Sequence, residues 1–74
     1  MIKFYTNNCP KCQMIKQIMD KEEIEYKEIT DLSIVNAVAR ENGIMSMPFA
    51  ETEDAVINTE ELQLYIKNSK WQNN

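Results

Sequence analysis

Two cysteines stand three positions apart in Cys9-Pro10-Lys11-Cys12. The chain has no histidine, so it can build neither a His general base, a His–Cys couple nor a His metal ligand. What remains is sulfur chemistry set by local backbone. Pro10 suits the first position of a helix, where its missing N–H is harmless. Cys9 then takes the N-cap position, and its sulfur can accept hydrogen bonds from the free N–H groups of Lys11 and Cys12. The helix dipole adds partial positive charge at the same place. Both effects favour thiolate over thiol and predict a lowered Cys9 pKa. Lys11 either adds a nearby cation or is a solvated helix-start residue. Cys12 lies one turn on, within reach of disulfide closure, and is predicted to be more buried and less acidic. A pair of this kind performs thiol–disulfide exchange. The Cys9 thiolate attacks a substrate disulfide, and Cys12 breaks the resulting mixed disulfide.

The same spacing also occurs in zinc sites. A zinc site needs about four ligands, and two cysteines without histidine make a poor one within a single chain. A dimer sharing four thiolates, an iron–sulfur cluster bridged between protomers, and two inert buried thiols stay open as alternatives. A second candidate is Met47-Pro48, which leads into a predicted third strand near the start of the first helix. A cis peptide there would present the Met47 backbone N–H and C=O beside Cys9, where a substrate strand could pair with them. The other reading is an ordinary trans proline at a strand edge. Tyr5, at the end of the first strand, either flanks a substrate or packs against a helix. Met45 and Met47 form either an apolar collar or loop packing.

The chain that must position these residues has 74 residues, 43% of them hydrophobic and 27% charged. This is the profile of one small globular domain, 1–74. No run of about 18 apolar residues exists, which speaks against a membrane span. The first residues, MIKFYT, read as a strand rather than a secretory signal, and a cytoplasmic location is the corresponding expectation. Lys and Arg number 8 against 12 Asp and Glu, a net charge of −4, which disfavours a basic nucleic-acid surface. From Glu41 to Glu61 there are acids and no base. That run is either a solvated face or a rim that sorts partners by charge.

Patterning gives the order β-α-β-α-β-β-α. Ile2–Thr6 is β-rich and apolar. A helix is predicted over Pro10–Lys21, with Met14, Ile15, Ile18 and Met19 on one apolar face. Ile24–Ile29 alternates and suits an edge strand. Asp31 or Ser33 caps a second helix ending near Asn42, with Leu32, Val35, Val38 and Ala39 inward. Gly43 and Ile44 fit the residues just past its end. Phe49–Glu51 and Ala55–Ile57 form a hairpin. Asn58 with Glu61 marks the start of a last helix over Thr59–Asn68, with Leu62, Tyr65 and Ile66 inward. A frayed polar tail, 69–74, follows. The first β-α-β makes a parallel pair and the hairpin is antiparallel, so the simplest assembly is an α/β fold: one four-stranded mixed sheet with three flanking helices.

The sequence resembles the glutaredoxins of the thioredoxin-fold superfamily, especially their short glutaredoxin-like members. The resemblance rests on FYTNNCPKC after the first strand, Ser46-Met47-Pro48 before the third, and the element order. It implies a thioredoxin-like fold and a small dithiol oxidoreductase that reduces protein or mixed disulfides. In it Cys9 is the nucleophile and Cys12 the resolving thiol. Pro10, Lys11 and Tyr5 support the site, Pro48 is cis, and Met47 offers its backbone to substrate. No tightly bound cofactor is implied; electrons would come from glutathione or a flavoprotein reductase. The implied partners are protein disulfides and that reductant, with no nucleic acid or membrane, and a monomer is expected.

Glutathione-dependent members usually carry Tyr where this chain has Lys11. They also carry a Gly-Gly-Asp or Gly-Gly-Ser turn where it has Ile57-Asn58-Thr59-Glu60. In those members the turn holds a glutathione carboxylate. Asn58 and Thr59 still offer N–H and hydroxyl donors for that purpose, but Glu60 and Glu61 place negative charge there, which counts against efficient use of glutathione. The competing function is a non-catalytic module that carries a metal or iron–sulfur cluster at a dimer interface, or docks a partner.

Overall fold

Short apolar strands alternate with amphipathic helices, and the computed structural model lays them out as β1 (Ile2–Tyr5), α1 (Pro10–Lys21), β2 (Tyr26–Ile29), α2 (Leu32–Glu41), β3 (Phe49–Glu51), β4 (Val56–Ile57) and α3 (Thr59–Gln72). The structure describes residues 2–72, with side chains through Asn68. The sheet order is β2-β1-β3-β4. β1 runs parallel to β2 and antiparallel to β3, and β4 is antiparallel to β3. The expected α/β architecture, with one mixed sheet and three helices, is therefore present, and β2 is an edge strand as expected. Differences lie at the ends. β2 starts at Tyr26 and β4 at Val56, each later than the alternation suggests. α3 continues to Gln72, through the backbone of most of the expected tail; residues 73–74 lie outside the described part.

Successive strand residues point to opposite faces, and the core divides accordingly. On one face Ile2, Phe4 and Ala50 pack with Ile15 and Met19 of α1 and with Leu62 and Ile66 of α3. On the other, Tyr5 and Phe49 pack with Val35 and Ala39 of α2. Each large side chain buried in this way contributes about 1.5–3 kcal/mol. The helix faces are narrower than the periodicity suggests. Met14 and Ile18 of α1, Leu32 of α2 and Tyr65 of α3 are all exposed. In each helix an i, i+4 pair takes the contact with the sheet: Ile15 and Met19, Val35 and Ala39, Leu62 and Ile66. Apolar neighbours outside that stripe are left at its margin.

The helix ends follow local chemistry. Asp31, not Ser33, caps α2, with its carboxylate accepting the Ser33 N–H at 3.0 Å. At the other end Gly43 takes φ +66°. The Ile44 N–H donates to Ala39 O at 2.9 Å and the Gly43 N–H to Arg40 O at 3.3 Å, the paired bonds of a Schellman turn. Asn58 and Glu61 form a reciprocal capping box at α3. The Asn58 N–H donates to the Glu61 carboxylate at 3.0 Å, and the Glu61 N–H donates to Asn58 Oδ1 at 2.9 Å. Among the described residues no helix is long and apolar enough to cross a membrane.

Tyr5 links the two central strands. Its ring stacks on Phe49 with centroids 4.7 Å apart, and its hydroxyl donates to Glu51 Oε1 at 2.9 Å. Burial, then the hydrogen bond to Glu51 and the charge of that carboxylate, push its pKa from 10.0 to about 12. An unfolded tyrosine ionises first as pH rises, so the stability due to Tyr5 is complete below pH 10 and is lost towards pH 12. Tyr5→Phe is expected to cost about 1 kcal/mol at neutral pH through loss of the hydrogen bond. It should also make the alkaline fall in stability shallower; urea denaturation at stepped pH measures both.

Candidate active site

The site begins where β1 ends. The Thr6 N–H still donates to Ile29 O of β2 at 3.1 Å, but the chain then turns away. The buried Thr6 Oγ1 accepts the Asn8 N–H at 3.0 Å. Asn8 adopts φ +64°, a left-handed conformation that asparagine tolerates better than most residues. Asn7 Oδ1 accepts the Cys9 N–H at 3.2 Å and the Cys12 thiol at 3.4 Å. Cys9 is thereby set in extended backbone (φ −68°, ψ 163°) as the N-cap of α1, with Pro10 in the first turn. Its sulfur accepts the Cys12 N–H at 3.1 Å, as the sequence predicts.

The two thiols are free, and their sulfurs lie 2.6 Å apart. Cys9 is half-buried, whereas Cys12 is 1% exposed. The access order of the two cysteines is the expected one. Their acidities are not. Burial opposes charge on Cys12, but hydrogen bonds from Cys9, the Thr6 hydroxyl and the backbone N–H groups of Asn7 and Cys9 together outweigh it, and its pKa is lowered. Cys9 is pushed up by burial and by its hydrogen bond to Cys12, against the N–H groups of Cys12 and Lys11. The inner sulfur collects more donors than the N-cap sulfur, which favours ionisation of Cys12 over Cys9. The two thiols titrate as one unit.

The β1–β3 register, Tyr5↔Phe49, brings Pro48 to the level of Thr6 at the same end of the sheet. The Met47–Pro48 bond is cis. Pro48 is buried, and Met47 is half-buried against the Tyr5–Phe49 cluster. Met45, in contrast, is 99% exposed, so the two methionines form no collar together. Tyr5 takes the packing role rather than flanking a substrate, since its ring lies in the core. Lys11 is exposed and acts on Cys9 through its backbone N–H.

The two residues expected to offer donors to an anion are engaged within the chain. The Thr59 hydroxyl donates to the Pro48 carbonyl, and the Asn58 N–H donates to Glu61. Thr59 therefore ties the start of α3 to the proline loop. Glu60 and Glu61 are exposed at that helix start, and Glu61 lines a groove of about 360 Å³ with Ile44, Met45, Val56 and Asn58.

No cluster of three or more metal-ligating side chains forms among the described residues; the dithiol supplies two sulfurs and no further ligand. Thr6 and Asn7 are the site residues that the motif does not reveal. The available signal is generic: a threonine closing a buried strand, and an asparagine two positions before an N-cap, a common side-chain-to-backbone turn former.

Thr59→Val removes the hydroxyl and leaves a buried carbonyl unpaired, a loss of about 1–3 kcal/mol. A lowered urea midpoint with an unchanged slope is the expected result.

Comparison with protein-family models, with curated proteins and with solved structures finds no match for this chain.

Proposed function

We propose that this chain is a small dithiol thiol–disulfide oxidoreductase with a thioredoxin-like fold of the glutaredoxin type. The observation that carries the reading is an accessible N-cap sulfur, Cys9, 2.6 Å from a buried second sulfur, Cys12. The element order, the mixed sheet and the placement of Pro48 at the sheet end nearest the dithiol support it further.

The chemistry follows from the close approach of the two sulfurs. In the reduced protein the two sulfurs face each other across a short contact, and the donors around Cys12 favour charge on the inner one. A substrate disulfide reaches Cys9 and not Cys12. As Cys9 Sγ attacks, its proton passes across the short contact to Cys12. A Cys9–substrate S–S bond forms, the substrate disulfide breaks, and one substrate sulfur leaves as thiolate and takes a proton from water. Cys12 then loses its proton and attacks Cys9 Sγ. The intramolecular disulfide closes and the second substrate thiol departs. Two electrons pass from the dithiol to the substrate, and glutathione or a flavoprotein reductase returns them. The Met47 backbone is the proposed pairing edge for a protein substrate. Net reduction of this kind suits a reducing compartment such as the cytoplasm.

Cys9→Ser is expected to abolish reduction of insulin disulfides, whereas Cys12→Ser should accumulate a mixed disulfide visible by mass spectrometry. A coloured, cluster-loaded dimer without turnover would instead establish the binding-module function. A second test concerns the reductant. Glu60→Gln combined with Glu61→Gln removes both charges, and the new amide oxygen at position 61 can still accept the Asn58 N–H. Glutathione-coupled turnover should rise about threefold to tenfold, a gain of roughly 0.7–1.4 kcal/mol in transition-state stabilisation; no change would discard charge as the reason for poor glutathione use.

A further inference from the structure

The segment from Met45 to Pro48 is held at its two ends and at one point between them. Ahead of it, the Ile44 N–H donates to Ala39 O at 2.9 Å. Beyond it, Phe49 pairs with Tyr5 across the sheet. Among the described residues, the backbone of Met45, Ser46, Met47 and Pro48 makes one hydrogen bond in all: the Pro48 carbonyl accepts the Thr59 hydroxyl. Proline has no N–H to add a second. The Met47 N–H and C=O are both unpaired among the described residues. Their direction depends on how Pro48 is seated, and Thr59 seats it.

We propose that Thr59 is a positioning residue for protein substrates: by holding the Pro48 carbonyl from the start of α3, its hydroxyl sets the Met47 N–H and C=O in the direction a substrate strand needs. The inference rests on the reading of the Met47 backbone as the pairing edge. The anchor is firm. Asn58 and Glu61 cap the helix start reciprocally, and Leu62, three residues after Thr59, is buried in one cluster with Ala50 of β3. Thr59 is 3% exposed and Pro48 is buried, so the bond is shielded from water and is the stronger for it. Threonine is stiff at χ1, and its hydroxyl is fixed once the helix is. A disulfide flanked by peptide backbone gains from an edge set in advance, because its hydrogen bonds form without the cost of ordering the loop. A small disulfide without a backbone gains nothing. Thr59 thus favours peptide disulfides over small ones.

The test compares substrates with and without a backbone. The probe is a synthetic extended peptide whose central cysteine carries a thiopyridyl disulfide. Cys9 Sγ bonds to the peptide sulfur, the bond to the pyridyl sulfur breaks, and coloured thiopyridone leaves with the proton that Cys9 gives up. Stopped-flow mixing reads this release as peptide concentration rises. Thr59→Val should raise the half-saturating peptide concentration about fivefold with the limiting rate little changed, the size expected for one lost hydrogen bond. Thr59→Ser keeps the hydroxyl and should restore the parent value. Thr59→Ala, which puts no methyl in the place of the hydroxyl, should behave as Thr59→Val and serves if that variant does not fold. With dithiodipyridine, a small aromatic disulfide, the rate should fall far less. A peptide N-methylated at the amides flanking its cysteine should bind the parent weakly and lose nothing further in Thr59→Val.

A hydroxyl that served only packing would cost the peptide and dithiodipyridine alike. That result, an unmoved half-saturating concentration, or Thr59→Ser behaving as Thr59→Val overturns the inference. Equal behaviour of the methylated and unmethylated peptides in the parent overturns instead the pairing role of Met47. Release undiminished in Cys9→Ser overturns the reading of Cys9 as the nucleophile.

Discussion

The sulfurs of Cys9 and Cys12 lie 2.6 Å apart because a helix begins between them. One turn of α-helix sets the residue after a Cys-X-X spacing directly over the N-cap, and the N-cap side chain points back at the free N–H groups of that turn. The geometry of the pair follows from this placement. It leaves one sulfur half-buried near the surface and puts the other in the wall of the core. It also brings Thr6 and Asn7, residues of the preceding loop, within reach of the inner sulfur.

That placement needs a rigid base. Phe4 and Ile2 of β1 are held from one face by Ile15 and Met19 of α1 and by Leu62 and Ile66 of α3. Tyr5 is held from the other face by Phe49 and α2. Helix α1 is therefore fixed by the turn that starts at Cys12 and by the two turns beyond it. The proline loop is fixed separately, by the antiparallel register of β3 and by the Thr59 hydroxyl. Two independently anchored segments meet at one end of the sheet, and the proposed function places a substrate disulfide between them.

Much of this is legible in the residues. Pro10 after a cysteine, Gly43 before Ile44, and Asn58 three positions before Glu61 each name a helix boundary through a bond that only a few residue types make, and those boundaries are found where the pattern puts them. Burial is less legible. Met14, Ile18, Leu32 and Tyr65 satisfy helical periodicity, but a four-stranded sheet covers only a narrow stripe of each helix. Periodicity reports which residues share a side and not how wide the contact is. The order of the thiol acidities was hidden for a related reason. N-cap geometry and dipole can be read from Cys9 alone, whereas the donors around Cys12 come from a loop whose course depends on the left-handed Asn8. The engagement of Thr59 with Pro48 joins residues eleven positions apart and has no local signature.

The margins of the sheet carry a consequence of their own. β2 is four residues long and bears Lys27 and Glu28, and β4 on the opposite side is only two residues long. Unpaired strand margins are where polypeptides stack into fibrils, and brevity with charge is how folded proteins suppress it. Under the proposed function the chain would present Cys9 to disulfide-bearing proteins without presenting a template on which they could polymerise.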